Sequence, residues 1–137
     1  MKQVTVIQRV ENGALAVALV VVLVAFGLPW WAVLAAFLLF DLSALGYLSG
    51  PKVGAIAYNV VHSYIGPALA LVGYAVTVLA AAPASWLAVA SACWAFHVAA
   101  DRALGYGLKL HDFSHTHLGA IGRASGPRTM ASRDDEQ

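Results

Sequence analysis

The chain has 137 residues, of which 61% are hydrophobic and 11% are charged, and its formal net charge is +1. A soluble domain is typically about 45–50% apolar and about 25% charged, so this composition excludes an ordinary soluble fold and favours a membrane protein. The charged residues form no basic stripe that would support nucleic-acid binding. The single cysteine, Cys93, excludes an internal disulfide.

Two long stretches without a charged side chain divide the sequence. After Glu11 the next charge is Asp41, and after Lys52 the next is Asp101. Each gap is longer than the roughly 20 residues that cross the hydrocarbon core as a helix. The stretches are apolar on all sides, whereas the strands of a membrane barrel alternate in polarity. We therefore predict an all-α fold, a four-transmembrane-helix bundle.

Turn residues divide the apolar sequence into four predicted helices, over about 8–28, 30–48, 52–82 and 84–108. The helices are separated at Pro29-Trp30-Trp31, at Ser49-Gly50-Pro51 and at Pro83. Gly66-Pro67 predicts a kink in the third helix. A short polar segment, 109–119, follows the fourth helix, and the tail, 120–137, is predicted to be disordered because it holds Gly, Ser, Pro and charges.

The lysines and arginines predict the orientation of this bundle. Those that fall on one side of the four-helix topology are Lys2, Arg9, Lys52, Arg102, Lys109, Arg123 and Arg128. The turns of the opposite side, 27–31 and 81–85, carry no charge. The positive-inside rule then predicts a multi-pass protein of the cell inner (plasma) membrane, with both termini and the middle loop in the cytoplasm. Its predicted partner is the lipid bilayer. The sequence leaves open whether the chain forms a homo-oligomer.

A short motif recurs at the ends of the second and fourth helices. One copy reads Asp41-Leu-Ser-Ala-Leu-Gly-Tyr47 and the other reads Asp101-Arg-Ala-Leu-Gly-Tyr106. Two pseudo-repeated helical hairpins, related by an axis along the membrane normal, would explain the recurrence. Chance recurrence of four common residues is the alternative.

Ionisable side chains within the helices mark a candidate site. Such groups are costly in a bilayer, at roughly 2.5–3.5 kcal/mol for an aspartate at a helix centre. In the predicted topology all of them fall in the cytoplasmic half, so we predict that they share one cavity. The candidate catalytic and metal-ligating residues are Asp41, His62, His97 and Asp101, and the supporting residues are Glu11, Tyr58, Asn59, Arg102 and Lys109.

The residue types give this cluster three interpretations. His97 and Asp101 are four residues apart and share a helix face. Imidazole plus carboxylate is a ligand set of zinc, manganese or iron, so a divalent metal is the first interpretation. Proton chemistry without a metal is the second, and hydrogen-bonded packing between helices is the third.

A second dense region of polar residues follows the fourth helix. His115 and His117 are two residues apart, so in an extended segment both could ligate one metal. We predict that the chain from Phe113 to Gly119 folds back over the cytoplasmic mouth and that His117 approaches the cluster. An interfacial loop with hydrated histidines is the alternative.

Many of these residues together resemble a known family. From roughly Arg9 to Gly119 the sequence is similar to a small bacterial integral membrane family catalogued as domain of unknown function 4260. The resemblance is carried by Asp41, Gly46-Tyr47, Gly50-Pro51, Gly54-Ala55, Tyr58-Asn59, His62, His97-x-x-x-Asp101-Arg102, Gly105-Tyr-Gly-Leu-Lys109 and Thr116-His117-Leu118-Gly119. The family pattern tends to carry an acidic residue at the position of His115, which leaves His117 the better ligand candidate. The resemblance implies a four-helix membrane protein and supplies no reaction.

The sequence leaves three classes of function. The leading hypothesis is a small membrane enzyme whose cytoplasm-facing His/Asp site acts on a lipid-like or apolar substrate. A non-enzymatic assembly or scaffold protein, which uses its polar residues as contacts between helices, is the alternative. A small transporter is less favoured, because only Thr77, Ser85 and Ser91 are polar on the outer side.

Overall fold

Four helical segments, as predicted, make up the all-α architecture of the protein. The structure, a computed structural model, describes residues 2–110 and 114–120. The first segment is α1 (Lys2–Ala25), and the second consists of α2 (Ala32–Ala35), α3 (Phe37–Asp41) and a 3₁₀-helix (Leu42–Ser49). The third consists of α4 (Pro51–Val61) and α5 (Ile65–Leu79), and the fourth is α6 (Ser85–Leu104).

A short β-ribbon, which the sequence analysis did not predict, follows the fourth segment. The helix expected to continue to about residue 108 ends at Leu104, because Gly105 adopts the left-handed conformation with φ 102°. β1 (His115–Thr116) pairs antiparallel with β2 (Gly119–Ala120), and Thr116 also bridges to Lys109. Beyond Ala120, the tail predicted to be disordered lies outside the described residues.

α6 is the centre of the bundle. α1 and α5 pack along it, and α2 and α3 contact it as well. α4 packs against the 3₁₀-helix, and glycines make this approach close. A Cβ added at Gly54 would lie 2.2 Å from the Tyr47 ring, and one added at Gly46 would lie 2.7 Å from the Ala57 Cβ. Small residues at such contacts let two backbones approach each other within a membrane.

Large apolar side chains cover the outside of this bundle. Val10, Leu38 and Leu79, for example, are exposed by 66%, 72% and 87%. Three stretches of the described chain are long and apolar enough to cross a membrane, namely Gln3–Ala25, Ala32–Ser49 and Pro51–Leu79. In water so much contiguous apolar surface would promote association, whereas in a bilayer it would face lipid. The outer surface is therefore consistent with a membrane protein.

The third segment breaks between α4 and α5. A kink was predicted at Gly66-Pro67, and the break lies one turn earlier, at residues 62–64. Pro67 has no N–H to donate to the carbonyl of Ser63, and its ring crowds that carbonyl. A regular helix therefore cannot continue through this point.

Side chains of α6 donate hydrogen bonds to backbone carbonyls around the break. The Trp94 indole donates to the carbonyl of Val61, the last residue of α4, at 2.6 Å. The Ser91 hydroxyl donates to the carbonyl of Pro67 at 2.8 Å. In lipid a carbonyl without a partner costs several kcal/mol, so these bonds stabilise the break. His62, which follows Val61, is thereby fixed as the C-cap of α4.

Replacing Gly66 by alanine tests how closely Trp94 packs at the break. The added Cβ would lie 2.2 Å from the Trp94 ring, so the indole would have to move and weaken its bond to Val61. We expect the free energy of unfolding to fall by about 1–3 kcal/mol, the usual cost of overpacking. The measurement is the thermal unfolding midpoint of the purified protein in detergent.

Gly73→Ala is the matched control in the same helix. There the nearest atom to an added Cβ is Leu87 Cδ1, at an ordinary 3.7 Å. Alanine is a better helix former than glycine by up to about 1 kcal/mol, so the Gly73 variant should keep or raise its midpoint. Equal midpoints for the two variants would contradict the close packing of Trp94 on Gly66.

Candidate functional site

Four titratable side chains from three helical segments meet at one point, here named the His/Asp cluster. Asp41 ends α3, His62 caps α4 at the break, and His97 and Asp101 lie one turn apart on α6. One nitrogen or oxygen atom from each of these residues lies within 4.8 Å of those of the others. The structure thus brings together the four residues that the sequence analysis expected to share a cavity.

The distances within the His/Asp cluster are those of a compact polar centre. The Nε2 atoms of His62 and His97 lie 2.9 Å apart. His62 Nε2 lies 3.5 Å from Asp41 Oδ1 and from Asp101 Oδ2, and His97 Nε2 lies 3.7 and 3.9 Å from the same two oxygens. Ligands held at 2.0–2.2 Å by a tetrahedral ion are about 3.3–3.6 Å from one another. The two distances from His62 Nε2 to the carboxylates lie within that range, the distance between the imidazoles is shorter, and the two distances from His97 Nε2 are longer.

The cluster is buried on its imidazole side and open on its carboxylate side. His97 is fully buried and His62 is 3% exposed, whereas the Asp101 and Asp41 side chains are 13% and 44% exposed. The two carboxylates line a cavity of about 400 Å³, here named the cluster cavity. Its lining residues are Phe37, Asp41, Ala44, Tyr58, Asp101, Leu104, Tyr106 and Lys109.

Tyr58 supports two members of the cluster. The Nδ1 of His62 lies 3.0 Å from the Tyr58 carbonyl oxygen, and because a carbonyl only accepts, this nitrogen carries a hydrogen. A neutral His62 then directs the lone pair of Nε2 into the cluster. The Tyr58 ring stacks on this imidazole with centroids 3.6 Å apart, and its hydroxyl donates to Asp101 Oδ2 at 3.0 Å. One tyrosine therefore orients an imidazole and a carboxylate.

His97 lacks comparable polar support. Phe37 and Phe40 pack on its ring, with centroid distances of 4.6 and 5.2 Å. Its Nδ1 is buried and has no hydrogen-bond partner within the described part of the chain. Without a metal, the favoured neutral tautomer carries its hydrogen on Nε2 and donates it to His62. A metal on Nε2 would leave Nδ1–H as an unpaired buried donor, at a cost of about 1–3 kcal/mol.

The chain after α6 forms one wall of the cluster cavity. The Asn59 side chain donates to the Lys109 carbonyl at 2.8 Å and accepts from the Lys109 N–H at 2.7 Å. Lys109 is 3% exposed, and its Nζ lies 4.7 Å from the centre of the Tyr58 ring. Asn59 and Lys109, both named as supporting residues from the sequence, therefore act as one contact between α4 and the returning chain.

His117 lies on the returning chain, where it contacts Leu108. Its Nδ1 accepts from the Leu108 N–H at 2.8 Å, and its own N–H donates to the Leu108 carbonyl at 3.1 Å. Phe113, at which the predicted fold-back begins, lies outside the described residues. In the described part of the chain after α6, Tyr106 and Lys109 are the residues that line the cluster cavity, and His117 is not among them.

Two further supporting residues named from the sequence lie away from the cluster. Glu11 is exposed on α1. The Arg102 guanidinium lies over the Tyr64 ring at 4.5 Å, and the Tyr64 hydroxyl donates to Asn12 Oδ1 on α1. This link between three segments was missed by the sequence analysis. The sequence feature that could have indicated this link is Asn12, whose side-chain amide stands at the start of a long apolar run.

The contact of His117 predicts a pH dependence. Partial burial and the nearby Arg102 charge lower the pKa of His117 below its ordinary value of 6.5, and only the neutral ring accepts at Nδ1 from Leu108. Because the folded pKa is the lower one, the contact stabilises fully above the unfolded pKa and loses its contribution as pH falls toward the folded pKa. We expect the His117 ring to titrate below 6.5 by NMR.

The Leu108 amide reports the same event. Its protection against hydrogen exchange, relative to the intrinsic rate, should fall on acidification in the native chain and be pH-independent in His117→Ala. A titration midpoint at or above 6.5 would contradict the contact.

Comparison with known proteins adds a family and no activity. The family model described as Domain of unknown function (DUF4260) matches residues 5–121, so the chain belongs to this family and the resemblance seen in the sequence is confirmed. None of the curated proteins or solved structures compared with the chain matches it. All four residues of the His/Asp cluster lie within the matched region.

Proposed function

We propose that this family member is a membrane enzyme whose His/Asp cluster binds a divalent metal ion and acts on a lipid-like substrate in the cluster cavity. The observation that carries the proposal is the convergence of four ligand-type atoms at the wall of an open cavity. One aspartate at a helix centre costs roughly 2.5–3.5 kcal/mol in a bilayer. Two of them beside two buried imidazoles form an expensive arrangement, which metal binding would offset.

The ligand set suits zinc, manganese or iron. The two carboxylates balance the charge of a divalent ion when both imidazoles are neutral. His62 already has the tautomer that ligates through Nε2, and Asp101 is held by the Tyr58 hydroxyl. Partners of this kind commonly orient metal ligands. A bound ion would supply a Lewis acid and an activated water at the cavity wall.

The lining of the cluster cavity supports a lipid-like or apolar substrate. Phe37, Ala44 and Leu104 provide apolar surface next to the two carboxylates. Leu104 is 64% exposed and Tyr106 is 43% exposed, so the rim of the cavity lies at the outside of the bundle. A substrate could therefore enter sideways from the inner leaflet.

A non-enzymatic assembly role is the second candidate, and the 2.9 Å contact between the two imidazoles favours it. In the metal-free form, His62 donates to the Tyr58 carbonyl and accepts from His97, which links α4 to α6. Such a link can hold helices together without any chemistry. Metal content separates the two candidates.

A transport route has less support. The Thr77 hydroxyl donates to the Tyr74 carbonyl at 2.7 Å, and the Ser91 hydroxyl donates to Pro67. Both of these outer-half hydroxyls thus donate to backbone carbonyls, Thr77 within α5 and Ser91 from α6 to α5. They do not extend the His/Asp cluster into a polar pathway.

Metal analysis of the full chain, purified in detergent and freed of loose metal, tests the proposed centre. We expect about one divalent ion per chain, since the cluster supplies one set of four ligands. His97→Ala should lose it because a ligand is removed, and Asp101→Asn should lose it because a neutral amide oxygen replaces a carboxylate. His115→Ala is the control, since His115 is an exposed residue of β1.

Tyr58→Phe gives a finer measurement of the same centre. It keeps the ring on His62 and removes the hydroxyl bond to Asp101, so metal affinity should fall about 10–100-fold. Tyr64→Phe should keep the native affinity, because its hydroxyl serves Asn12. A metal-free native chain, or equal metal content in His97→Ala, would reject the metal centre in favour of the assembly role.

The proposed orientation has its own test. Single cysteines at Ser49, Leu28 and Pro83 are placed in a Cys93→Ala background and treated with a membrane-impermeant maleimide. The charge asymmetry predicts reaction at 28 and 83 in intact cells, and at 49 only after the inner membrane is opened. Reaction at 49 in intact cells would contradict the cytoplasmic position of the middle loop.

A further inference from the structure

The His/Asp cluster offers four protein ligands, which is as many as a tetrahedral ion takes. Structural zinc sites are closed in this way, whereas catalytic sites keep three protein ligands and leave the fourth position to water or substrate. An enzyme built on this cluster therefore needs either a fifth position on the ion or the release of one ligand. The contacts of the four side chains indicate which ligand can be released.

Three of the four ligands are held in place by their surroundings. His97 is fully buried beneath two aromatic rings. His62 is fixed by the bond from its Nδ1 to the Tyr58 carbonyl. Asp101 lies within α6, is 13% exposed and accepts from the Tyr58 hydroxyl. Movement of any of these side chains away from the cluster would break a contact or open the core.

Asp41 is the ligand with the weakest support. Its side chain is 44% exposed, and its Oδ1 lies 3.5 Å from His62 Nε2 and 3.7 Å from His97 Nε2. Within residues 2–110 and 114–120, no hydroxyl or amide donates to its carboxylate, in contrast to that of Asp101. The imidazoles would be occupied by a bound ion, so little else would keep this carboxylate in the cluster.

The backbone around Asp41 also favours its movement. Asp41 is the last residue of α3, and the 3₁₀-helix begins at Leu42. A 3₁₀ stretch within a helical segment often marks a functional hinge. Ala44, which lies one turn after Asp41, lines the cluster cavity with it, and its small side chain leaves space on that side. The carboxylate can therefore turn from the imidazoles into the cavity.

We propose that Asp41 is an exchangeable ligand, whose carboxylate leaves the metal when an oxygen atom of the substrate head group takes its position. One metal–oxygen bond breaks and another forms, so the coordination number and the oxidation state of the ion stay unchanged. The apolar lining at Phe37 and Leu104 then receives the chain of the same molecule. The substrate is thus an amphiphile whose head group offers an oxygen ligand. The exchange rests on the proposed function, because it requires the bound ion.

Decanoate is a suitable probe, because it carries the ligand group of Asp41 on an apolar chain. The experiment uses the full chain in dodecyl maltoside, loaded with Co²⁺, whose visible absorption responds to a change of ligands. Asp41→Ala should keep about one Co²⁺ per chain, held by three protein ligands and a water. An internal carboxylate that occupies the position about 90% of the time lowers the apparent affinity of a competitor about tenfold. Asp41→Ala should therefore bind decanoate about tenfold more tightly than the native chain, or better.

The same substitution at both aspartates provides the matched comparison. Asp101→Asn should lose the metal, whereas Asp41→Asn should keep it because water can take the vacated position. Glu11→Gln, which changes an exposed acidic residue of α1, should bind decanoate with native affinity. If Asp41→Ala does not yield a folded protein, Asp41→Asn replaces it in the decanoate titration with the same expectation.

Metal content, measured on the same samples, separates the exchange from the metal centre. If Asp41→Ala loses its metal as His97→Ala does, Asp41 is a permanent ligand, and the exchange is overturned while the metal centre stands. Retained metal with unchanged or weaker decanoate binding also overturns the exchange, because decanoate then takes a fifth position. A native chain that binds no divalent ion overturns the metal centre, and the exchange with it.

Acetate distinguishes an amphiphile from a soluble oxygen ligand, since it has the carboxylate of decanoate and lacks the chain. Leu104→Asn places a polar group in the cavity lining, so it should weaken decanoate binding and leave acetate binding unchanged. A Leu104 variant that binds both probes as the native chain does would overturn the role of the apolar lining and assign the position to a small soluble ligand.

Discussion

A backbone carbonyl without a hydrogen-bond partner is costly in hydrocarbon, and this constraint shapes the third helical segment. The break between α4 and α5 would expose the Val61 carbonyl, and the Trp94 indole takes it up. His62 follows directly, and its ring bonds the Tyr58 carbonyl of the preceding turn. The position of this imidazole thus depends on the end of α4, where a side chain of α6 bonds the Val61 carbonyl. The geometry of the site therefore depends on how α6 packs against the break.

The same cluster can serve as a contact between helices and as a ligand set. The recurring motif places Asp41 and Asp101 at the ends of two segments, and both carboxylates reach the same imidazoles. Four residues before Asp101 stands His97, whereas four residues before Asp41 stands Phe37. Phe37 packs on His97, so the two copies contribute unequally, one with a ligand and one with an apolar wall.

The sequence allowed the four segments and the cluster to be predicted because both follow from the cost of charge in a bilayer. Charge-free runs mark the segments, and ionisable residues of matched depth mark the cluster. Pro67 accounts for a break one turn before it, but the bond that stabilises the break was less accessible, since Trp94 lies 33 residues from Val61. The place of Lys109 in the cavity depends in the same way on Asn59, 50 residues away. Local patterns carry no information on such contacts.

The 3₁₀-helix has a consequence for how the second segment fits a bilayer. As an α-helix, the 18 residues Ala32–Ser49 would rise about 27 Å, less than the roughly 30 Å hydrocarbon core. Eight of them, Leu42–Ser49, have 3₁₀ geometry, in which each residue rises about 2.0 Å, so the segment reaches about 31 Å. The shortest of the three candidate spans thus matches the membrane thickness when it stands upright. Its tilt is then set by how the segment packs against α4 and α6, and not by an excess of apolar length.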